Sequence, residues 1–265
     1  MRLYDLCIEL DRLFMKNLAE SWDNPGLMVG DHEQPVSRAL LALDVSSDLI
    51  REARRRHADL LLVHHPLLFH PVKEVSSRES TGLLLLKAVQ SNIAVYAAHT
   101  NMDSAQNGIN HELATALGIE NQRPMQPIHG NELAGMGRFG KLGSTSTVKT
   151  VLERAKTLFS SSCVRFNGDL SRRVKNIGIC SGSGGDLVRN AIELGLDLFI
   201  TGDVKHDQFQ EASAKGLSLA DVGHAQTDWF GFKESVKKIW AGGQDVLKIP
   251  LIVSRKPWAP IDCLV

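Results

Sequence analysis

The chain has 265 residues, of which 43% are hydrophobic and 23% are charged, a composition that excludes an intrinsically disordered protein. Lysine plus arginine and aspartate plus glutamate number 30 each, so no global charge attracts nucleic acid or an anionic membrane. A local patch stays open, and the densest candidate is REARRRH at 51–57, which we interpret as the solvated face of a helix.

The sequence predicts a cytoplasmic protein. No segment approaches the roughly 20 apolar residues that a membrane span needs, and the N-terminus lacks the apolar core of a signal peptide. Four cysteines stand far apart and form no C-x-x-C pair, so neither a zinc knuckle nor a redox motif is visible. They are Cys7, Cys163, Cys180 and Cys263.

Helices and strands alternate along the first half of the chain. Apolar periodicity and capping residues predict, in order, a helix at 3–20, a buried strand at 37–46, a helix from Ser46 or Ser47 to 57, a strand at 58–65, a helix at 82–92, a strand at 93–100 and a helix at 107–117. Such alternation is typical of a mostly parallel sheet that is covered on both faces.

The polar stretch IENQRPMQPIHGN at 120–132 contains two prolines and is predicted to be a linker. A second α/β series follows, with extended segments at 132–142, 162–168, 174–182, 196–202 and 217–224 and helices near 146, at 184–194, 204–215 and 226–240. We therefore expect an α/β protein of two lobes, 1–125 and 126–265, each with a mostly parallel sheet flanked by helices. The last apolar segment, 246–253, could return to either sheet.

Imidazoles and carboxylates recur where the predicted strands end. Ligands of open α/β sheets collect outside the carboxyl ends of the strands. The residues at or just after these ends are Asp44, His64, His65, His99, Asp103, Asp203, His206, His224 and Asp228. Imidazole and carboxylate together suit divalent transition metals, so this distribution predicts a metal site.

The spacing of these residues limits how they can bind. His224 and Asp228 are four residues apart, so a helix that starts near 225 places both side chains on one face. His64 and His65 are neighbours whose side chains diverge at the end of a strand, which favours two ions about 3.5 to 4 Å apart over one shared ion. The alternative for any single histidine is a hydrogen-bonded structural role.

The stretch CSGSGGDL at 180–187 follows a strand and opens a helix. Its backbone N–H groups, at Gly182, Gly184 and Gly185, could contact a phosphate group. The alternative, which we weigh equally, is a tight turn between strand and helix. The stretch lacks the lysine of a P-loop, and the chain contains no Gly-x-Ser-x-Gly elbow of a serine hydrolase.

Six motifs in this order resemble the Nif-three-like family, the GTP cyclohydrolase 1 type 2 homologues, over nearly the whole chain. They are WDNPGLMVGD (22–31), DLLLVHHPLLF (59–69), AAHTNMDSAQNGIN (97–110), CSGSGGD (180–186), DLFITGDVKHD (197–207) and GHAQTD (223–228). The resemblance implies a dinuclear metal site at the strand ends between the two lobes, and a toroidal homohexamer.

The resemblance also implies the roles of individual residues. It implies two divalent cations per subunit (Zn, Fe, Mn, Co or Ni), with the ligands His64, His65, Asp103, His224 and Asp228. His64 and His224 are expected on one ion, and His65 and Asp103 on the other, with Asp228 as a bridge where the family usually has glutamate. His99, Asp203 and His206 are expected around the ions or facing the substrate.

Two classes of function fit this pattern. The first is a metal-dependent hydrolase of a nucleotide-like or phosphate-containing substrate, in which the ions lower the pKa of a bound water and His99 or His206 moves protons. The second is a protein that binds, handles or displays metal without turnover, or an assembly or regulatory protein in which the ions are structural. The same ligands serve both classes.

Overall fold

The computed structural model describes residues 1–258, and Cys263 lies outside them. Within these residues the chain divides into two units. The first contains Met1–Met102 together with the chain from Val236, and the second contains Asp103–Ser235. The division therefore differs from the expected one, because residues 103–125, which we assigned to the first lobe, pack with the second unit.

The predicted elements of the first half occur in the predicted order, but the structure adds a 3-10 turn, a strand (Gly26–Val29) and a short helix (Thr100–Ser104) that were not predicted. In chain order, the elements are α1 (Leu3–Leu13), a 3-10 turn (Lys16–Leu18), β1 (Gly26–Val29), β2 (Ala39–Ala42), α2 (Ser47–Arg55), β3 (Leu60–Val63), α3 (Ser80–Gln90), β4 (Ala94–Ala97), α4 (Thr100–Ser104) and α5 (Ile109–Leu117). Ser46 caps α2 by accepting a hydrogen bond from the Leu49 N–H at 3.1 Å, as expected. The first helix is shorter than predicted, since Met15 adopts a left-handed conformation with φ of 49°.

The remaining described elements alternate less regularly. They are β5 (Ile119–Arg123), β6 (Gln126–Ile128), β7 (Asn131–Met136), β8 (Arg138–Thr147), α6 (Val148–Phe159), β9 (Arg165–Phe166), β10 (Arg173–Ile179), a 3-10 turn (Gly185–Leu187), α7 (Val188–Glu193), β11 (Leu198–Thr201), α8 (His206–Ala214), β12 (Ser218–Asp221), α9 (His224–Gly242), α10 (Gln244–Leu247) and β13 (Leu251–Val253). No helix among residues 1–258 is both long and apolar enough to cross a membrane.

The sheet of the first unit has the order β1-β4-β3-β2-β13. Its pairings are parallel except that of β1 with β4. Every residue of β2, β3 and β4 is buried, which explains their uninterrupted apolar sequences, because a parallel sheet is covered on both faces. The last strand, β13, pairs with β2 and so returns to this sheet.

The sheet of the second unit has the order β5-β8-β10-β11-β12-β9 and is mixed, not mostly parallel as predicted. Only the β10–β11 and β11–β12 pairings are parallel. The β5–β8, β8–β10 and β12–β9 pairings are antiparallel. The expectation failed because it assumed a helical crossover between all neighbouring strands, whereas β5 and β8 are joined without a helix.

The predicted linker at 120–132 is wrong, because these residues belong to β5 and to the β6–β7 hairpin. β5 lies at the edge of its sheet, and after Ile119 its side chains are exposed or only partly buried. The β6–β7 pair is a two-stranded sheet of its own, where Pro127 is tolerated because a short edge strand needs few backbone donors. An exposed edge strand is polar, so its sequence resembles that of a linker.

In the first unit, Glu52 joins α2 to the segment after β13. The residue is 7% exposed. Its carboxylate accepts hydrogen bonds from Ser254 Oγ at 2.7 Å, Arg56 Nη1 at 2.8 Å and the Arg255 N–H at 3.3 Å. Arg56 also donates to the Val253 carbonyl at 2.8 Å. Burial acts to raise the pKa of Glu52, but the hydrogen bonds outweigh it, so the pKa lies below its usual value.

We expect Glu52→Gln to lower the free energy of unfolding by about 2 kcal/mol at pH 7, because hydrogen bonds to a charged acceptor are lost. Since the folded-state pKa is depressed, the contribution is present above the unfolded-state pKa of about 4.3 and is lost as the pH falls through the folded-state value. The difference between parent and variant should therefore shrink below about pH 4 in urea unfolding followed by circular dichroism.

The matched control for this measurement is Glu153→Gln, which removes an exposed pairing with Lys149. It should change the free energy of unfolding by less than about 0.5 kcal/mol. If Glu52→Gln lowers the free energy of unfolding by the same amount from about pH 7 to pH 3, the ionised carboxylate does not hold the segment after β13 to α2.

Candidate metal-binding residues of the two units

Three histidines of the first unit lie together where its parallel strands end. His64 and His65 follow β3 directly, and His99 follows β4 by two residues. One ligand atom of each histidine lies within 4.8 Å of those of the other two. The ring centroids of His64 are 5.0 Å from those of both His65 and His99. Because the strands are parallel, their carboxyl ends share one edge of the sheet, which explains why residues 34 positions apart meet.

Each of these imidazoles is held through its Nδ1 atom. Nδ1 of His64 lies 2.8 Å from the Ala98 carbonyl oxygen. A carbonyl oxygen only accepts, so Nδ1 carries the proton and Nε2 carries the lone pair with which a metal would bind. Nδ1 of His65 likewise donates to Asp44 Oδ1 at 2.6 Å, in the carboxylate–histidine arrangement that orients metal ligands.

The third histidine, His99, is oriented by Asp23, which the sequence analysis missed. Its Nδ1 donates to Asp23 Oδ1 at 2.8 Å. The other carboxylate oxygen of Asp23 accepts from the Thr100 N–H at 3.1 Å and hydroxyl at 2.5 Å. Burial acts to raise the pKa of Asp23, but the bonds from His99 and Thr100 outweigh it and lower the pKa to about 2. Asp23 lies in the motif WDNPGLMVGD, which was the available signal.

Two exposed aromatic rings stand beside His99. Trp22 is 60% exposed, and its ring centroid lies 6.4 Å from that of His99 and 5.9 Å from that of Phe69. The Asn24 side chain fastens the two segments by donating to the Leu68 carbonyl at 2.7 Å. The histidine group of the first unit is therefore bordered by two exposed aromatic side chains packed edge to face, and an exposed ring face can stack on another aromatic ring.

In the second unit, His224 and Asp228 occupy the first turns of α9. Nε2 of His224 lies 3.0 Å from Asp228 Oδ2, as the i,i+4 spacing predicted. Nδ1 of His224 lies 2.6 Å from Asp203 Oδ2, so Asp203 orients this ring as Asp44 orients His65. Burial acts to lower the pKa of His224, but the hydrogen bonds and charges of Asp228 and Asp203 raise it to about 9. A metal that binds Nε2 must therefore displace a proton.

Asp103, also in the second unit, is placed by the residues around the glycine-rich turn. Ser181 donates from its hydroxyl to Asp103 Oδ1 at 2.8 Å. Asn110 accepts from the Ser181 N–H at 2.8 Å and donates to the Asp103 carbonyl at 3.0 Å. This closed set of hydrogen bonds fixes the backbone and the carboxylate of Asp103 together. Neither Ser181 nor Asn110 was assigned a role from the sequence.

The backbone amides of the glycine-rich turn bond to side chains of the second unit, which leaves fewer of them to bind a phosphate. The Gly182 N–H donates to Thr227 Oγ1 at 3.0 Å, and the Gly184 N–H donates to Thr201 Oγ1 at 2.9 Å. Two of the three amides predicted to contact phosphate thus hold the turn itself, and at Gly185 a side chain would meet Gln208. The geometry supports the tight-turn alternative.

Gly182 also leaves the space that Asp228 occupies. Its φ is 57°, and a Cβ atom built on it would lie 2.9 Å from Asp228 Oδ1 and 3.3 Å from His224 Nε2. Asp228 itself is only 2% exposed. A side chain at position 182 would therefore press on both metal-ligand candidates of α9.

The second predicted proton carrier, His206, is placed differently from His99. It is the first residue of α8 and is exposed. Within residues 1–258, no hydrogen bond joins it to His224 or Asp228 of the same unit. The structure therefore groups His99 with the histidines of the first unit and leaves His206 at the surface of the second.

Known proteins match this chain over most of its length. A family model described as Duf34/NIF3 (NGG1p interacting factor 3) matches residues 1–257. A Clostridium perfringens protein named GTP cyclohydrolase 1 type 2 homolog is 35% identical over 229 residues, which cover 86% of this chain and 87% of the relative. The Schizosaccharomyces pombe protein NIF3 homolog is 31% identical and covers 83% of this chain and 82% of its own.

Solved structures share the same mixed α/β fold. A hypothetical protein of Staphylococcus aureus superposes with a TM-score of 0.91 at 26% identity, covering 100% of this chain and 99% of its own. Reduced HcgD from Methanocaldococcus jannaschii gives a TM-score of 0.77 at 26% identity and covers 96% of this chain and 97% of its own. The resemblance inferred from the six motifs is confirmed, and the chain belongs to the DUF34/NIF3 family.

Proposed function

We propose that the chain is a metal-dependent hydrolase that holds two divalent cations through His64, His65, Asp103, His224 and Asp228. The observation that carries the proposal is that the two ligand histidines of the first unit, His64 and His65, are both held through Nδ1, with ligand atoms within 4.8 Å of each other and of His99. Structural histidines need no such shared orientation, whereas metal-binding histidines are oriented in this way. The second unit offers His224 with Asp203 behind it, in the same arrangement.

The two ions would lower the pKa of a bound water and so supply a nucleophile at neutral pH. His64 and His65 would bind different ions in this proposal, as the family resemblance implies, and their ligand atoms lie within 4.8 Å of each other. Asp228 would help to hold the ions at the position where the family usually has glutamate, and the absence of a side chain at Gly182 leaves room for it. His99, which Asp23 orients, is the residue that we assign to proton transfer, and the exposed His206 is the weaker candidate.

The substrate class that we propose is a nucleotide-like or phosphate-containing small molecule. The names of relatives as GTP cyclohydrolase 1 type 2 homologs support this class. The exposed Trp22 and Phe69 rings beside His99 offer a surface for the planar ring of such a substrate. A cytoplasmic toroidal hexamer, which the family resemblance implied, stays a prediction.

The test of the function is to measure metal content and the turnover of nucleotides and phosphodiesters by the purified protein. We expect His65→Ala to lose about one equivalent of metal and at least about 100-fold in turnover, because a lost ligand exceeds the 10- to 100-fold effect of a lost orienting partner. The matched control is His129→Ala, which changes an exposed histidine in the β6–β7 turn and should keep both.

Hydrolysis that survives both EDTA and His65→Ala would overturn the proposal. If instead the metal-loaded protein turns over nothing in a broad metabolite screen while it passes metal to an acceptor protein, the chain is a metal-handling protein and not a hydrolase.

The carboxylate behind His65 provides a second test. Asp44→Asn keeps the size of the side chain but removes its charge, so we expect metal affinity to fall by about tenfold or more while the fold stays intact. Titration with a competing chelator measures this affinity. Asp48→Asn is the matched control, since Asp48 is exposed four residues later and pairs with Arg51. Equal affinities of the two variants would show that Asp44 does not orient a metal ligand.

A third test concerns the space beside Asp228. Gly182→Ala places a methyl group 2.9 Å from Asp228 Oδ1, so we expect it to lower metal content. The matched control is Gly195→Ala, because Gly195 also has a positive φ, of 62°, but nothing lies within 4 Å of its Cβ position. Backbone strain is thus common to both variants, and only the crowding of the ligands differs. The same metal content in both would contradict the role assigned to Gly182.

A further inference from the structure

The basic run REARRRH, which the proposed hydrolase does not use, borders a cavity of about 330 Å³ in the first unit. Its lining combines residues of α2 with two that follow β13. Five cationic and two acidic side chains surround it: Arg51, Arg55, Arg56, Arg255, Lys256, Asp48 and Glu52. The cavity therefore carries an excess of three positive charges.

The acidic groups of the lining are already engaged. Asp48 pairs with Arg51. Glu52 pairs with Arg56 and accepts from Ser254. The charges of Arg51 and Arg56 are thus each neutralised by a carboxylate of the cavity lining. Three cations, Arg55, Arg255 and Lys256, form no ion pair with any residue of 1–258.

The dipole of α2 explains the position of only one of these three cations. Arg55 lies in the last turn of α2, where a positive charge complements the helix dipole. Arg255 and Lys256 lie about 200 positions later in the sequence and have no such reason to approach the end of the helix. They are held there because the buried Glu52 carboxylate accepts from the Arg255 N–H, and because Arg56 donates to the Val253 carbonyl.

We propose that this cavity binds a small molecule through a diphosphate or triphosphate group. Guanidinium groups match phosphate oxygens with paired hydrogen bonds, and two arginines with a lysine suit a group that carries several negative charges. The volume lies at the lower end of the range for small-molecule sites, which fits a polyphosphate group. None of the metal-ligand candidates lines the cavity, and the proposal does not rest on the proposed hydrolysis.

The test is isothermal titration calorimetry of the full-length protein with inorganic pyrophosphate at low ionic strength, after removal of metal with EDTA. We expect binding that weakens with added salt, as charge pairing requires. In the double variant Arg55→Ser/Arg255→Ser the dissociation constant should rise by about tenfold or more. The matched control is Arg54→Ser, which changes an exposed arginine of the same helix turn that does not line the cavity and should stay within about twofold of the parent.

Further arms identify the ligand and separate this site from the metal ligands. His65→Ala should bind pyrophosphate as the parent does, because metal ligands take no part. ATP should bind and adenosine should not, if the phosphates are what the cavity recognises. Thermal unfolding of each variant checks that the fold is intact. The proposal is overturned if pyrophosphate does not bind, if the double variant binds as tightly as the parent, or if a DNA duplex binds more tightly than ATP through the same arginines.

Discussion

The hydrogen bond at Nδ1 of each histidine is the constraint on which the candidate chemistry depends. A free imidazole exchanges its proton between two nitrogens and rotates about its side chain. Here a backbone carbonyl holds His64, and carboxylates hold His65, His99 and His224. For His64, His65 and His99 the bond places the proton on Nδ1 and leaves the lone pair on Nε2, whereas His224 is also paired through Nε2 with Asp228 and must lose that proton to bind a metal. The residues that accept these hydrogen bonds lie at strand ends or in loops beside them. The parallel strands of each unit's sheet therefore set the geometry of the ligands.

In the second unit, backbone groups as well as side chains position the candidate metal ligands. Asp103 is fixed by Ser181 and Asn110, and the turn that carries Ser181 continues into Gly182, whose missing side chain makes room for Asp228. The amides of this turn donate to threonine hydroxyls. A glycine-rich turn can therefore be required for the placement of carboxylates, and its resemblance to a phosphate-binding loop is a consequence of needing small residues in both cases.

Features that depend on local sequence pattern could be predicted, whereas features that depend on contacts between distant segments could not. The i,i+4 contact of His224 with Asp228 and the cap of α2 at Ser46 follow from helix geometry and were predicted. The sequence of β5 and β6 predicts a linker instead of strands, because polar edge strands lack an apolar period. The motif WDNPGLMVGD marks Asp23, but its partner His99 lies 76 positions away, so only the fold shows that the two side chains are paired.

The return of the chain to the first sheet brings together two cationic segments, on α2 and after β13, that are far apart in the sequence. On α2, the basic run is an ordinary solvated face, and after β13 two cations are an ordinary surface segment. Pairing of β13 with β2 brings the second segment to the helix, and the buried Glu52 fixes it there. Because Glu52 is used for this attachment and Asp48 pairs with Arg51 on the same helix, the neighbouring cations have no carboxylate partner among residues 1–258. Fold stability and anion recognition would then depend on one carboxylate.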